Sequence, residues 1–159
     1  MASEQRAPGT ILLVEDEPAD ARLLIRAFTR AGVLNPIKHL FRGDEALAFL
    51  EGINQYADRR EHPLPILIIL DLKLPRRNGF EVLQWLRSRR DGIRRMPVIM
   101  LTSSRHTVDI NRAYDSGVNS YLAKPENTEG LLQVANAIKT YWLSLNEDPT
   151  LLGTGTYGK

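Results

Sequence analysis

Apolar positions along this chain follow two alternating patterns, short continuous runs and stripes at helical spacing. The runs are Ile11-Leu12-Leu13-Val14, Ile66-Leu67-Ile68-Ile69-Leu70 and Val98-Ile99-Met100-Leu101. Continuous β-branched and leucine runs of this length predict strands covered on both faces. Two shorter segments, Ile37 to Phe41 and Tyr121-Leu122-Ala123, supply a second and a fifth strand.

The stripes predict the helices between them. One runs over about residues 19–31, with Leu24, Ala27, Phe28 and Ala31 on one face and Gly32 as its stop. Asp44 is placed to cap a second helix that carries Ala46, Leu47 and Leu50 and ends near Gly52. Asn78 caps a third, whose Phe80, Leu83 and Leu86 face inward, and a short fourth over 108–116 is closed by Gly117. The last helix covers about 128–145. Its stripe Leu131, Ala135, Ile138, Trp142 and Leu145 reads as core, while Leu132, Val134 and Tyr141 widen it beyond the needs of one sheet face and suit a partner. Residues 56–65, with Pro63 and Pro65, read as an exposed loop.

Strict alternation of strand and helix is the pattern of an α/β protein with right-handed crossovers. Five such units predict a doubly wound, five-stranded parallel sheet of the flavodoxin-like kind, strand order 2-1-3-4-5, with five helices. Residues 1–9 form an N-terminal extension, 10–145 the domain, and 146–159 a tail or dimerisation arm. A terminal Gly/Thr stretch is by default disordered. An arm exchanging onto a second subunit is the other reading, supported by Trp142, Leu143, Leu151 and Leu152 around Pro149.

Composition narrows the function. At 159 residues, 43% hydrophobic and 25% charged, the chain fits one soluble domain with a sizeable core. Its apolar runs are strand-sized and its start is polar, so we expect a cytoplasmic protein with no membrane partner. Zero cysteines exclude thiol chemistry, and His39, His62 and His106 lack ligand spacing, so any metal is held by oxygen. A net charge of +2 with no recognisable module argues against nucleic acid. The arginine pairs are read as solvated helix ends and loops, with Arg76-Arg77 and Arg94-Arg95 open to an acidic partner surface.

Ligands of parallel sheets gather outside the carboxyl ends of the strands. The predicted order brings Glu15 and Asp16, Asp71, Thr102 and Lys124 to that edge. Three carboxylates together call for a cation, and Mg²⁺ takes one or two of them in an octahedral shell with water. Asp16 and Asp71 are expected as direct ligands, with Glu15 acting through water. A carboxylate whose charge is neutralised can attack phosphorus. Asp71 is the expected nucleophile, Lys124 the cation, and Thr102 the hydroxyl donor to the phosphoryl group.

These residues resemble a known family. Val14-Glu15-Asp16-Glu17, Leu70-Asp71 with Leu74-Pro75 and Gly79, Leu101-Thr102-Ser103, and Tyr121-Leu122-Ala123-Lys124-Pro125 are similar to the motifs of response-regulator receiver domains of two-component signalling. The resemblance covers roughly residues 10 to 145. It implies phosphorylation of Asp71 by a sensor histidine kinase, or exchange with a phosphotransfer protein, in the presence of Mg²⁺. It also implies that the backbone carbonyl of Lys73 joins the metal ligands, that Thr102 and Tyr121 form the conformational switch, and that the Lys124-Pro125 peptide is cis. Glu15, where aspartate is commoner, Lys73 and Glu126 depart from the usual pattern.

Within that family the loop over 56–65, the stretch from Leu70 to Gly79 and the ending Tyr141-Trp142-Leu143 resemble regulators paired with bacterial phytochromes. The resemblance therefore suggests a phytochrome-type kinase as partner, while the wide apolar face of the last helix and the residues around Pro149 suggest a homodimer through the last helix and C-terminal arm. Since no effector module follows residue 145, output is expected through protein contacts, whether as a phosphorelay intermediate or a diffusible output protein, and not through an enzymatic activity. A phosphatase of the haloacid-dehalogenase type would carry a second aspartate where Lys73 stands. A dinucleotide binder would carry a glycine-rich loop where Glu15-Asp16-Glu17-Pro18 stands.

Overall fold

A computed structural model describes residues 8–151. Five parallel strands, β1 (Ile11–Val14), β2 (Ile37–Leu40), β3 (Leu67–Leu70), β4 (Val98–Thr102) and β5 (Ser120–Ala123), form one sheet in the order β2-β1-β3-β4-β5. Four helices join them, α1 (Pro18–Arg30), α2 (Gly43–Glu51), α3 (Gly79–Ser88) and α4 (Thr107–Asp115), and α5 (Thr128–Thr140) follows β5. The fold expected from the sequence is the fold observed, and α1 and α4 give way to Gly32 and Gly117 as expected.

The sheet divides the core in two. Alternate residues of the central strands, Leu12, Val14, Ile68, Leu70, Val98 and Met100, pack with α2 and α3. Ile11, Leu13, Leu67, Ile69, Ile99 and Leu101 pack with α1 and α5. Because β1, β3 and β4 are buried on both faces, their sequences are uninterrupted apolar runs. Among the described residues no helix is long and apolar enough to cross a membrane.

Local chemistry departs from the sequence reading in several places. Asn78 does cap α3, in a reciprocal capping box with Glu81. Asp44, however, lies inside the first turn of α2, where it pairs with the cap residue Arg42 at 2.9 Å. The loop over 56–65 is not wholly exposed. A 3-10 turn (Asn54–Tyr56) buries Tyr56 against Phe49, and Arg59 donates to the carbonyls of Phe49 and Leu50 at 2.7 Å each. Arg59 thus closes the end of α2, where carbonyls have no partner within the helix.

Arg87 is likewise no solvated helix end. It donates to the carbonyls of Gly117, Arg94 and Met96 and to Oδ1 of Asn119, tying α3 to both ends of the β4–α4 unit. The last helix is regular only to Thr140, and a π-helical turn (Tyr141–Leu145) follows. That widening turns Leu145 outward, 69% exposed, so the expected core stripe ends at Trp142.

The described part of the tail lies on its own chain. Arg95 donates to the Thr150 carbonyl, Leu151 packs against the core on the α3 side, and its backbone passes so close to Gly92 that a Cβ there would collide with it. Leu152 and the rest of the expected arm lie outside the described residues, as do residues 1–7 of the expected extension.

Candidate functional site

Four strands deliver the site to the carboxyl edge, β1 with Glu15 and Asp16, β3 with Asp71, β4 with Thr102 and β5 with Lys124. The ladder continues one residue beyond β3, with Asp71 N–H donating to the Val14 carbonyl at 3.0 Å, so Asp71 is held next to Glu15. It also continues beyond β5, with Lys124 N–H donating to the Thr102 carbonyl at 2.8 Å. Glu15 is fixed from the other side, its N–H donating to Leu40 and its carbonyl accepting from His39 Nε2 at 2.8 Å.

The loop after Asp71 is held close. Gly79 N–H donates to the Leu72 carbonyl at 2.8 Å, and the start of α3 presses on the Asp71 carbonyl where any Cβ would intrude. Only glycine allows that approach.

Glu15, Asp16 and Asp71 can each offer a carboxylate oxygen such that all three lie within 4.8 Å of one another. Asp16 is exposed, whereas Glu15 and Asp71 are 4% and 6% exposed. Lys124 Nζ donates to Glu15 Oε2 and Asp71 Oδ2 at 2.9 Å each, and to Asp20 Oδ2 at 3.2 Å. The other Asp71 oxygen accepts from Leu72 N–H at 2.7 Å.

Crowding of acids is visible in their protonation. Burial, then the hydrogen bond and charge of Asp71, push Glu15 up to about 8 against the pull of Lys124. Burial pushes Asp71 up too, but hydrogen bonds from Glu15 and Lys124 outweigh it and hold Asp71 below the usual carboxylate range. One proton and one ammonium shared by two buried carboxylates are what a dication would replace. The donor set, all oxygen and partly hydrated at Asp16, fits Mg²⁺.

Thr102, 1% exposed, ends β4 beside this cluster. Its Oγ1 faces Ser104 N–H at 3.5 Å, while Ser104 Oγ donates to Asp109 Oδ2 at 2.5 Å. Tyr121 O–H donates to the Ser104 carbonyl at 2.9 Å, so Thr102 and Tyr121 meet at one loop residue. Lys73 is exposed in the loop after Leu72. The Lys124-Pro125 peptide is trans, contrary to the expected cis form, and trans is the lower state of an X-Pro bond by about 0.5–1 kcal/mol.

The site opens into a cavity of about 450 Å³ between α1 and the start of α5, walled by Leu23, Leu24, Leu131 and Pro125 and floored by Asp71 and Lys124. Sequence reasoning did not find Asp20 or Ser104. Asp20 is 104 positions from Lys124, and only the packing of α1 against the sheet brings them together. Ser104 reads as an ordinary turn residue until its partners are seen.

A doubly wound sheet that gathers three carboxylates and a lysine beyond the carboxyl ends of its strands forms an α/β module with a cation-binding acidic site where such folds bind ligands. The chain belongs to the response regulator receiver domain family, whose model matches residues 11–136. Members are signalling modules, generally not classed as enzymes, that partner with histidine kinases and bind Mg²⁺ in an acidic pocket. The chain is 42% identical over 146 residues to the probable methanogenesis regulatory protein FilR2 of Methanothrix harundinacea, covering 92% of this chain and 91% of that protein. It is 36% identical over 143 residues to the response regulator Rcp1 of Synechocystis sp., covering 90% and 95%. The crystal structure of Mn²⁺-bound Rcp1 matches with a TM-score of 0.80 at 35% identity over 90% of this chain and 100% of that one. That of the phosphorylated cyanobacterial phytochrome response regulator RcpA matches with a TM-score of 0.83 at 37% identity, covering 91% and 100%.

Proposed function

We propose that this chain is a single-domain response regulator whose Asp71 accepts a phosphoryl group from the phosphohistidine of a sensor histidine kinase or a phosphotransfer protein. The observation that carries this reading is the position of Lys124, 2.9 Å from both Asp71 and Glu15 and lining the same cavity as both. Coverage of FilR2 and Rcp1 over 91% and 95% of their lengths supports a regulator of one domain.

In the transfer, an Asp71 oxygen forms the new bond to phosphorus. The bond from phosphorus to the imidazole nitrogen breaks, and the imidazole keeps the electron pair and takes up a proton. The Lys124 ammonium stays beside the developing charge, and the Thr102 hydroxyl donates to a phosphoryl oxygen. Glu15, Asp16, Asp71 and the Lys73 carbonyl would hold Mg²⁺, which supplies charge neutralisation on the phosphoryl oxygens. Thr102 and Tyr121 then pass the change to the β4–α4 loop through Ser104.

The partner is a phytochrome-type kinase, a reading supported by the likeness to a cyanobacterial phytochrome response regulator. Output runs through protein contacts in the cytoplasm, without nucleic acid or membrane. A homodimer through the last helix and C-terminal arm would cover Tyr141 and Leu145, which are 52% and 69% exposed.

The test is phosphoryl uptake from acetyl phosphate with and without Mg²⁺, followed by intact mass and light scattering. One phosphoryl group added only with Mg²⁺, and none on Asp71→Asn, is the expected result. Stoichiometric, hydroxylamine-labile phosphate on Asp71→Asn would reject Asp71 as acceptor. A larger particle after uptake would identify dimerisation as the output.

A further inference from the structure

An ammonium has three protons, and that of Lys124 faces three carboxylates. Two of them, Glu15 and Asp71 at 2.9 Å, belong to the acidic cluster. The third, Asp20 at 3.2 Å, comes from the first turn of α1 and stands outside the acidic cluster. The three differ in exposure: the side chains of Glu15 and Asp71 are 5% and 8% exposed, that of Asp20 47%.

A dication drawing on Glu15 and Asp71 leaves Asp20, which lies outside the acidic cluster, as the carboxylate that still competes with a phosphoryl oxygen for the Lys124 protons. The longest bond, to the most hydrated carboxylate, costs least to break. We propose that Asp20 is a positioning residue that holds Lys124 over the acidic cluster in the resting protein and competes with the incoming phosphoryl group for it, so that Asp20 limits the rate of uptake. This rests on the reading of Asp71 as phosphoacceptor.

The fold keeps Asp20 in that place. Ala21 and Leu24 bury α1 against the sheet, and the Glu17 carboxylate caps the Ala19 N–H, which fixes the first turn. Asp20 thus lines the cavity mouth, where its charge also opposes an anionic donor. A purely structural role exists as well, since an acid in a first turn favours the helix dipole. That role would alter the stability of α1 and leave the Lys124 ammonium unchanged.

Asp20→Asn removes the charge at nearly constant shape, and Asp20→Glu keeps it. Two readouts separate the roles: the rate of uptake from acetyl phosphate with Mg²⁺ at low and high salt, and the exchange of Lys124 ammonium protons with water in metal-free protein by lysine-selective nitrogen NMR. In Asp20→Asn, uptake should rise roughly two- to fivefold, the value of an exposed ion pair, with the gain shrinking at high salt. Ammonium exchange should quicken in the same variant, and Asp20→Glu should stay near the wild type in both.

Unchanged or slower uptake in Asp20→Asn, unchanged ammonium exchange, or equal effects of the two substitutions would each overturn the proposal alone. Failure of the wild type itself to take up phosphate would overturn the phosphoacceptor reading, and this proposal with it.

Discussion

Lys124 and Asp71 stand 53 positions apart in the chain, yet Nζ of one lies 2.9 Å from Oδ2 of the other. Their meeting needs no flexible reach, because each backbone is locked into the sheet one residue past its strand. The pair is preorganised by β3 and β5, with β4 between them.

Lys124→Ala should therefore do two separable things. Without the cation, Asp71 and Glu15 face each other with one shared proton as their only relief, and removal of one partner from a buried pair costs roughly 3 kcal/mol. Urea unfolding of metal-free protein at neutral pH should show that loss. Phosphoryl uptake should fall as well, and Lys124→Arg should not restore it, since a planar guanidinium cannot occupy the compact position between three carboxylates. Full uptake by either variant would remove Lys124 from the chemistry.

Glu15 makes stability depend on pH in an unusual direction for a carboxylate. Its folded value of about 8 lies above the ordinary 4.5 that the unfolded chain regains. The folded state then binds the extra proton between these values, so Glu15's contribution is complete below about pH 4.5 and is lost as pH rises toward 8. The slope is at most about 1.4 kcal/mol per pH unit. In chelator, melting from about pH 5 to about pH 9 should show the decline, and Glu15→Gln should flatten it.

Mg²⁺ should reverse that decline. A cation bound only by the folded state stabilises by about 2.7 kcal/mol at one hundred times its dissociation constant. Its gain should be larger near pH 8 than near pH 6, because below 8 binding must first displace the Glu15 proton. Calorimetry in two buffers of different ionisation enthalpy would detect the released proton. Asp16→Asn should weaken the effect and Asp71→Asn should weaken it further. Equal Mg²⁺ stabilisation in all three proteins would place the ion elsewhere.

How much of this was legible in the sequence follows from what each residue depends on. Ile11 to Val14 and Leu67 to Leu70 are buried on both faces, so their identity alone marks them as strands, and a charge after each run marks the site edge. Asn78 caps locally, and its signal is local. Asp44 misled because Arg42, two residues earlier, already occupies the cap. Arg59, Arg87 and Asp20 were opaque for a different reason. Most of their partners lie 9 or more positions away, and a long charged side chain looks the same whether it meets water or a ring of carbonyls.

Gly79→Ala should destabilise the protein although the substitution falls at a helix start, where alanine ordinarily helps. The added Cβ would strike the Asp71 carbonyl and come within 3.0 Å of Leu72 Cα, neither of which can move without shifting the loop. Overpacking of this kind costs roughly 1–3 kcal/mol, against the gain of about 0.5–1 kcal/mol in helix propensity. Urea titration should show the net loss, and uptake should slow because the displaced atoms belong to Asp71 itself. A more stable variant would mean that the loop yields freely.

The loop after β4 should report phosphorylation. Besides the bond its hydroxyl accepts from the His106 N–H, Ser104 is held three ways, by Asp109 through its hydroxyl, by Tyr121 at its carbonyl and by Thr102 at its N–H. A phosphoryl oxygen that draws the Thr102 hydroxyl away leaves Ser104 with two of these. Asp109→Ala removes a different one and should raise hydrogen exchange over residues 102–106 before any phosphoryl is added, by about fivefold for a bond worth about 1 kcal/mol. Thr102→Ala should still take up phosphate, since Asp71 and Lys124 are intact, but exchange in the same loop should no longer change on uptake. A full phosphoryl-dependent change in Thr102→Ala would show that the signal leaves the site by another route.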